Sequence, residues 1–143
     1  MVKLSLLLSE FSKQHHFELP TADDRGIYSL SIDDMEIKCF ERLGKGYLYS
    51  NLTTLPEQAN DLPVVLKDLM HHALTRIKSQ SCALGLSEDG NLVLFERFDM
   101  DTINLGAFFE ILENYSNALE EYRYFIAAKN VKRYSPDTMI ISP

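Results

Sequence analysis

The sequence predicts an α+β domain with the element order α-β-β-β-α-β-β-α, an antiparallel twisted sheet with helices packed on it, working as a dimer. Three observations carry that prediction. Strand-like and helix-like segments are not in strict alternation, which disfavours a parallel α/β sheet. Three polar or glycine-containing turns join neighbouring strand segments closely enough for hairpins. The second helix and the fifth strand carry more apolar surface than one small domain can cover.

Residues 3–15 place Leu4, Leu7, Leu8 and Phe11 at helical spacing, so the first helix is amphipathic. A short apolar stretch, Leu4 to Leu8, has one Lys before it, but Glu10, Lys13 and two histidines follow with no small-residue cleavage site. The segment therefore reads as a helix and not as a secretory signal, and a cytoplasmic protein is expected. Pro20 and the run from Thr21 to Gly26 form a loop.

Ile27 to Ile32 alternates Tyr28, Leu30 and Ile32 against Ser29 and Ser31. Asp33-Asp34 is placed as a tight turn into Met35–Arg42, where Met35, Ile37 and Cys39 alternate with Glu36, Lys38 and Phe40. Gly44-Lys45-Gly46 supplies a second turn, and Tyr47–Leu52 is the third strand. The three read as a meander with one buried face. After a loop over 53–61, Asp61 is placed as an N-cap and Pro63 is tolerated in the first turn of a second helix, Leu62 to about Lys78. Cys82–Leu86 and Asn91–Phe98 are strands four and five, joined through Ser87-Glu88-Asp89-Gly90. Asp101 or Thr102 caps a third helix that runs to about Ala127, with Leu105, Phe108, Phe109, Leu112, Tyr115, Leu119, Tyr122 and Ile126 as its apolar stripe. The expected organisation is one domain, 1–127, and a loosely held basic tail, 128–143.

Composition narrows the function. The net charge is −7; residues 128–143 carry Lys129, Lys132 and Arg133 against Asp137, so the first 127 residues carry −9. Phosphate backbones need clustered Lys and Arg, which argues against nucleic acid. No apolar run is long enough to span a bilayer, so no membrane insertion is expected. Cys39 and Cys82 read as reduced, buried thiols.

The motifs of chemistry are missing from the sequence. His15-His16 and His71-His72 are adjacent pairs, and neighbours on a helix point about 100° apart, so neither pair grips one metal; edge-of-helix surface positions explain them better. Gly44-Lys45-Gly46 lies between strands and lacks the frame of a phosphate loop. The acidic pairs Asp23-Asp24, Asp33-Asp34 and Glu88-Asp89 fall in turns. No catalytic residue, cofactor or metal is assigned. A small enzyme would instead show a deep, enclosed pocket with convergent polar groups.

The informative feature is apolar excess. On a helical wheel Leu62, Val65, Leu66, Leu69, Met70, Ala73, Leu74, Arg76 and Ile77 fill an arc of about 180°, against roughly 100° for a helix lying on a sheet. A helix sunk in its own core would use that arc, and so would a dimer seam, which is the reading preferred. In strand five, Leu92, Leu94 and Phe98 face one side while Val93 and Phe95 face the other, so both faces need cover.

Four stretches carry a resemblance: Leu7-Leu8-x-x-Phe11, Gly26 to Asp33, Leu66-x-x-Leu69-Met70-x-x-Ala73-Leu74, and Asp89 to Arg97 followed by a long helix. Together with the element order over about 3–127, the small size and the acidic pI, they make the chain similar to the CesT/Tir chaperone family, the class I chaperones of type III secretion. The second-helix and fifth-strand stretches look closest to the branch that acts on the secretion gatekeeper. The resemblance implies a non-enzymatic cytoplasmic homodimer, or a heterodimer with a second chaperone. Its partner would be a secreted effector or gatekeeper protein, held through a segment near its N-terminus in extended form and kept stable and export-competent. It places the dimer interface at Val65, Leu66, Leu69, Met70, Ala73, Leu74 and Ile77. It places the effector-binding groove at Leu4, Leu7, Leu8 and Phe11, with Ile27, Tyr28 and Leu30 near the sheet edge. The alternative is a regulatory adaptor of the same fold that sequesters a transcriptional regulator or gatekeeper.

Overall fold

Two-residue turns set the register of the first three strands. In the computed structural model, which describes residues 3–54, 62–76, 80–88 and 90–141, Asp33 and Asp34 both take positive φ (51° and 64°), as do Leu43 and Gly44 (53° and 78°). Two successive positive φ values give the turn whose twist matches that of paired strands. β1 (Tyr28–Ile32), β2 (Met35–Arg42) and β3 (Lys45–Thr54) therefore form a tight meander, with Ile32 opposite Met35 and Arg42 opposite Lys45. Lys45 and Gly46, expected in the turn, are already strand residues, because the left-handed positions fall one step earlier, on Leu43 and Gly44.

β4 (Ala83–Leu86) and β5 (Asn91–Asp99) complete one antiparallel sheet in the order β1-β2-β3-β5-β4, so β1 and β4 are its edges. The β3–β5 pairing shifts between Asn51 and Thr53, one extra residue on β3. Gly46 sits opposite Phe98, and the ring occupies the space a Cβ at Gly46 would fill.

α1 (Leu4–His15) and α3 (Leu105–Ile141) cover one face. Leu30, Ile37, Cys39, Leu48, Leu94 and Phe98 point inward from the sheet and meet Leu4, Leu7, Leu8 and Phe11 of α1 and Phe108, Leu112, Tyr115, Leu119 and Tyr122 of α3. The Tyr115 hydroxyl donates to Leu94 O at 2.8 Å and lies 3.0 Å from Ser50 Oγ, which ties the middle of α3 to β5 and β3. The first N–H of α1, on Leu4, is capped from a distance by Glu41 Oε1 at 3.2 Å.

α3 is capped by Asn104, whose Oδ1 accepts the Ala107 N–H at 2.8 Å. Asp101 and Thr102 do not cap it; the Asp101 N–H donates to Asp99 Oδ1 at 2.9 Å in the turn that leaves β5. The backbone of α3 stays helical to Ile141, beyond the end expected near Ala127. α2 (Leu62–Thr75) packs beside β4, with Leu69 buried. Of the positions expected to matter, Asp61, Ile77 and Asp89 lie outside the described residues, as do the side chains of Val65 and Leu66.

Candidate protein-interaction surfaces

The first surface grows out of the end of α1. His16 adopts the left-handed conformation (φ 59°) and the Phe17 N–H closes on Ser12 O at 3.1 Å, so the chain turns sharply. That turn lays Phe17 flat on Phe11, centroids 5.5 Å apart and planes 8° from parallel, and carries Leu19 past the edge of β1. Ala22 bridges to Tyr28, and Asp23 Oδ1 accepts the Arg25 and Ile27 N–H groups at 2.8 and 3.0 Å. The Ile27 bond, then the Arg25 bond, hold the exposed Asp23 carboxyl below the ordinary value.

The loop thus covers the start of β1. From Ser29 to Ile32, β1 pairs with β2 alone among the described residues, and its other edge faces a groove of about 480 Å³ lined by Phe17, Leu19, Leu30 and Ile32. An unpaired strand edge is a template for another extended chain. A smaller notch of about 200 Å³ adjoins it between α1 and α3, sharing Phe11, Phe17 and Ile32 and adding Phe109.

The outer face of the sheet is the second surface. Phe40 stacks on Tyr47 (4.9 Å, 15°) and meets Tyr49 edge-on (5.8 Å, 75°). With Val93 and Phe95 they line a shallow depression of about 580 Å³. Phe95 lies over Gly85, where a Cβ would come to 3.1 Å from the ring. The third surface is the outer side of α2, where Met70 and Leu74, one turn apart, are each 63% exposed.

The residues expected in the groove separate. Leu4, Leu7 and Leu8 are each 1% exposed, because α1 spends its apolar side on the sheet and α3; in the single chain they offer no free surface. Phe11 and Leu30 are buried but form the groove floor. Tyr28 faces the core from its edge, and Ile27 faces the outer-face depression instead of the groove. Of the expected seam, Leu69 is buried and Ala73 packs at the margin of the core, which leaves Met70 and Leu74 outward. Phe17 and Leu19 are the groove residues that sequence reasoning passed over; two large apolar side chains in a loop were the available signal.

A polar cavity of about 300 Å³ lies between β5, α3 and the entry to β4, lined by Ser81, Cys82, Glu96, Asn114, Asn117 and Glu121. Burial, then the Glu96 carboxylate, push the Cys82 thiol up to about 11, and burial pushes Cys39 to about 12. Both stay protonated at neutral pH and are poor nucleophiles. The Glu96 carboxyl is raised by burial, opposed by a hydrogen bond from Ser81. Two histidines expected at the surface are partly covered by rings instead: His15 stacks on Phe109 (4.5 Å) and His72 on Phe125 (4.5 Å). Among the described residues no three His, Cys, Asp or Glu side chains are placed to share a metal, and no helix is long and apolar enough to cross a membrane.

Helices on one face of a five-stranded antiparallel sheet, an open strand edge and apolar surfaces around it define a protein-binding α+β fold. The chain belongs to the Tir chaperone protein (CesT) family, whose model matches residues 6–123. The fold is that of type III secretion chaperones. A chain in the structure of the HopA1–SchA chaperone–effector complex aligns with a TM-score of 0.66 at 17% identity, covering 83% of this chain and 91% of that one. A chain of the ExsC–ExsE complex gives 0.66 at 17%, covering 86% and 96%. One from the heterodimeric ExoU–SpcU complex of the Pseudomonas aeruginosa type III secretion system gives 0.59 at 16%, covering 84% and 94%. No curated protein matches the sequence.

Proposed function

We propose that this protein is a non-enzymatic cytoplasmic chaperone. It binds a segment near the N-terminus of a type III secretion effector or gatekeeper in extended form and keeps that client stable and export-competent. The observation that carries the reading is the open edge of β1 at Ser29–Ile32, flanked by Phe17 and Leu19, which are 40% and 56% exposed. An extended client adds its backbone to that edge and buries alternate side chains in the groove. The family membership supports the reading, as do similar structures that hold a chaperone with an effector. Ordering an unfolded segment costs free energy, so the contact must be large. A dimer joined through α2 and the outer sheet face presents two such grooves on one platform.

The test is pull-down of the tagged chain from cells that carry a type III secretion system, with the captured exported protein identified and then co-expressed with the chain. Phe17→Asp with Leu19→Asp places charges in the groove without touching Leu4, Leu7 or Leu8. Client recovery is expected to fall at least tenfold, with the chain still folding cooperatively and the melting temperature lowered only by loss of the Phe17 stack on Phe11. Full client recovery by this variant would remove the groove from the reading.

A further inference from the structure

The outward presentation of Met70 and Leu74 needs a cause. Leu69, Met70, Ala73 and Leu74 fall within one broad apolar arc, and apolar burial is non-directional. It favours the centre of the arc, at Leu69 and Ala73, but over an arc of about 180° it resists a modest turn towards Met70 and Leu74 only weakly. A helix of 14 residues is marginal alone and takes its position from what it docks on.

The directional contacts converge on one carboxylate of α3. Glu121 Oε1 lies 2.6 Å from Arg76 Nη2 and Oε2 accepts the Gln80 Nε2–H at 2.8 Å; His72 Nε2 lies 3.4 Å from Oε1 but makes no hydrogen bond to it. The His72 ring is stacked on Phe125 at 4.5 Å and edge-on to Tyr122 at 5.2 Å. Positions 72, 76 and 80 are four apart, the spacing that brings side chains to one side of a helix. The Arg76 N–H to Ala73 O bond and the Gln80 N–H to Arg76 O bond bring the last two round onto that side beyond the end of α2. Turning α2 about its axis to bury Met70 would pull Arg76, at the end of the helix, away from Glu121.

We propose that Glu121 is the positioning residue of α2. It fixes the rotation of the helix so that Met70 and Leu74 form the stripe offered to a second copy of the chain. The proposal rests on the reading of α2 as the dimer seam and assigns the control of that seam to a side chain outside it.

The experiment uses the full chain and two readouts. In a Met70→Glu background, which removes the seam, Glu121→Gln is expected to speed hydrogen exchange of the α2 amides at 67–75 about tenfold, with β2, β3 and β5 unchanged. In the native background the same substitution is expected to weaken self-association about tenfold in sedimentation. The exchanged pair Glu121→Arg with Arg76→Glu restores the ion pair but not the Gln80 bond and should recover both in part, which loss of fold would not. Unchanged α2 exchange overturns the proposal. Faster exchange with undiminished association overturns it too, since Glu121 would then hold the helix without setting the seam. If Met70→Glu alone still self-associates, the seam reading fails, and with it the part of the proposal that names a second copy; the exchange readout still decides whether Glu121 holds α2.

Discussion

Leu43 is 91% exposed and sits at φ 53° in the two-residue turn between β2 and β3. A leucine pays a steric penalty there that asparagine largely avoids, and its side chain buries nothing in return. Leu43→Asn is expected to stabilise the chain by about 0.5–1 kcal/mol, read from chemical unfolding. An unchanged or lower midpoint would show that the turn does not penalise leucine at that position. Glu96 carries the opposite burden. It is 5% exposed, and burial raises its carboxyl above the ordinary value of 4.5. A raised folded value means that its stabilising contribution is complete below 4.5 and is lost as pH rises through the folded value. Glu96→Gln, which keeps an acceptor for Ser81, is therefore expected to be more stable than the native chain at pH 7. The advantage should shrink as pH falls towards 4; unfolding midpoints of the two proteins that stay parallel across that range would contradict it.

Among the elements, α3 has the most to hold in place, and Tyr115 holds its middle. Removing the hydroxyl that bridges Ser50 and Leu94 leaves a buried carbonyl and a buried hydroxyl without that partner. Tyr115→Phe is expected to cost about 1–2 kcal/mol in unfolding free energy, with the helix content by circular dichroism unchanged. The strands that face a core on one side and water on the other are the elements most legible from sequence: the bounds of β2 coincide with its alternation from Met35 to Arg42. The cap of α3 was not legible, because Asp101, Thr102 and Asn104 all suit the role, and Asp101 is committed to the turn leaving β5. The groove was legible only in part. Periodicity shows that Leu4, Leu7, Leu8 and Phe11 share a side of α1, but it does not tell whether the sheet below or a client above covers them. Phe17 and Leu19 have no periodicity, since they belong to a loop whose course is set by the left-handed turn at His16.

For the whole molecule, the deciding quantity is apolar surface left uncovered. α1 and α3 close one face of the sheet; the other shows Phe40, Tyr47, Tyr49, Val93 and Phe95 partly exposed, and α2 adds Met70 and Leu74. Two copies of a chain of net charge −7 repel, so self-association would have to be driven by apolar burial and strengthened by salt. A stable pairing covers about 800 Å² on each partner, which neither the α2 stripe nor a single shallow depression provides by itself. A dimer seam would therefore have to combine the stripe with the neighbouring sheet surface. If it does, unfolding is coupled to dissociation, and each tenfold dilution lowers stability by about 1.4 kcal/mol of dimer. The melting temperature of the native chain is expected to fall steadily on dilution from 100 to 1 micromolar, roughly speaking. Leu74→Asp, which buries an unpaired charge in the seam, should give a monomer whose melting temperature is the same at every concentration. A native chain that melts at one temperature throughout the dilution would mean that its apolar surface waits for the client alone, because only a self-association broken on unfolding makes stability depend on concentration.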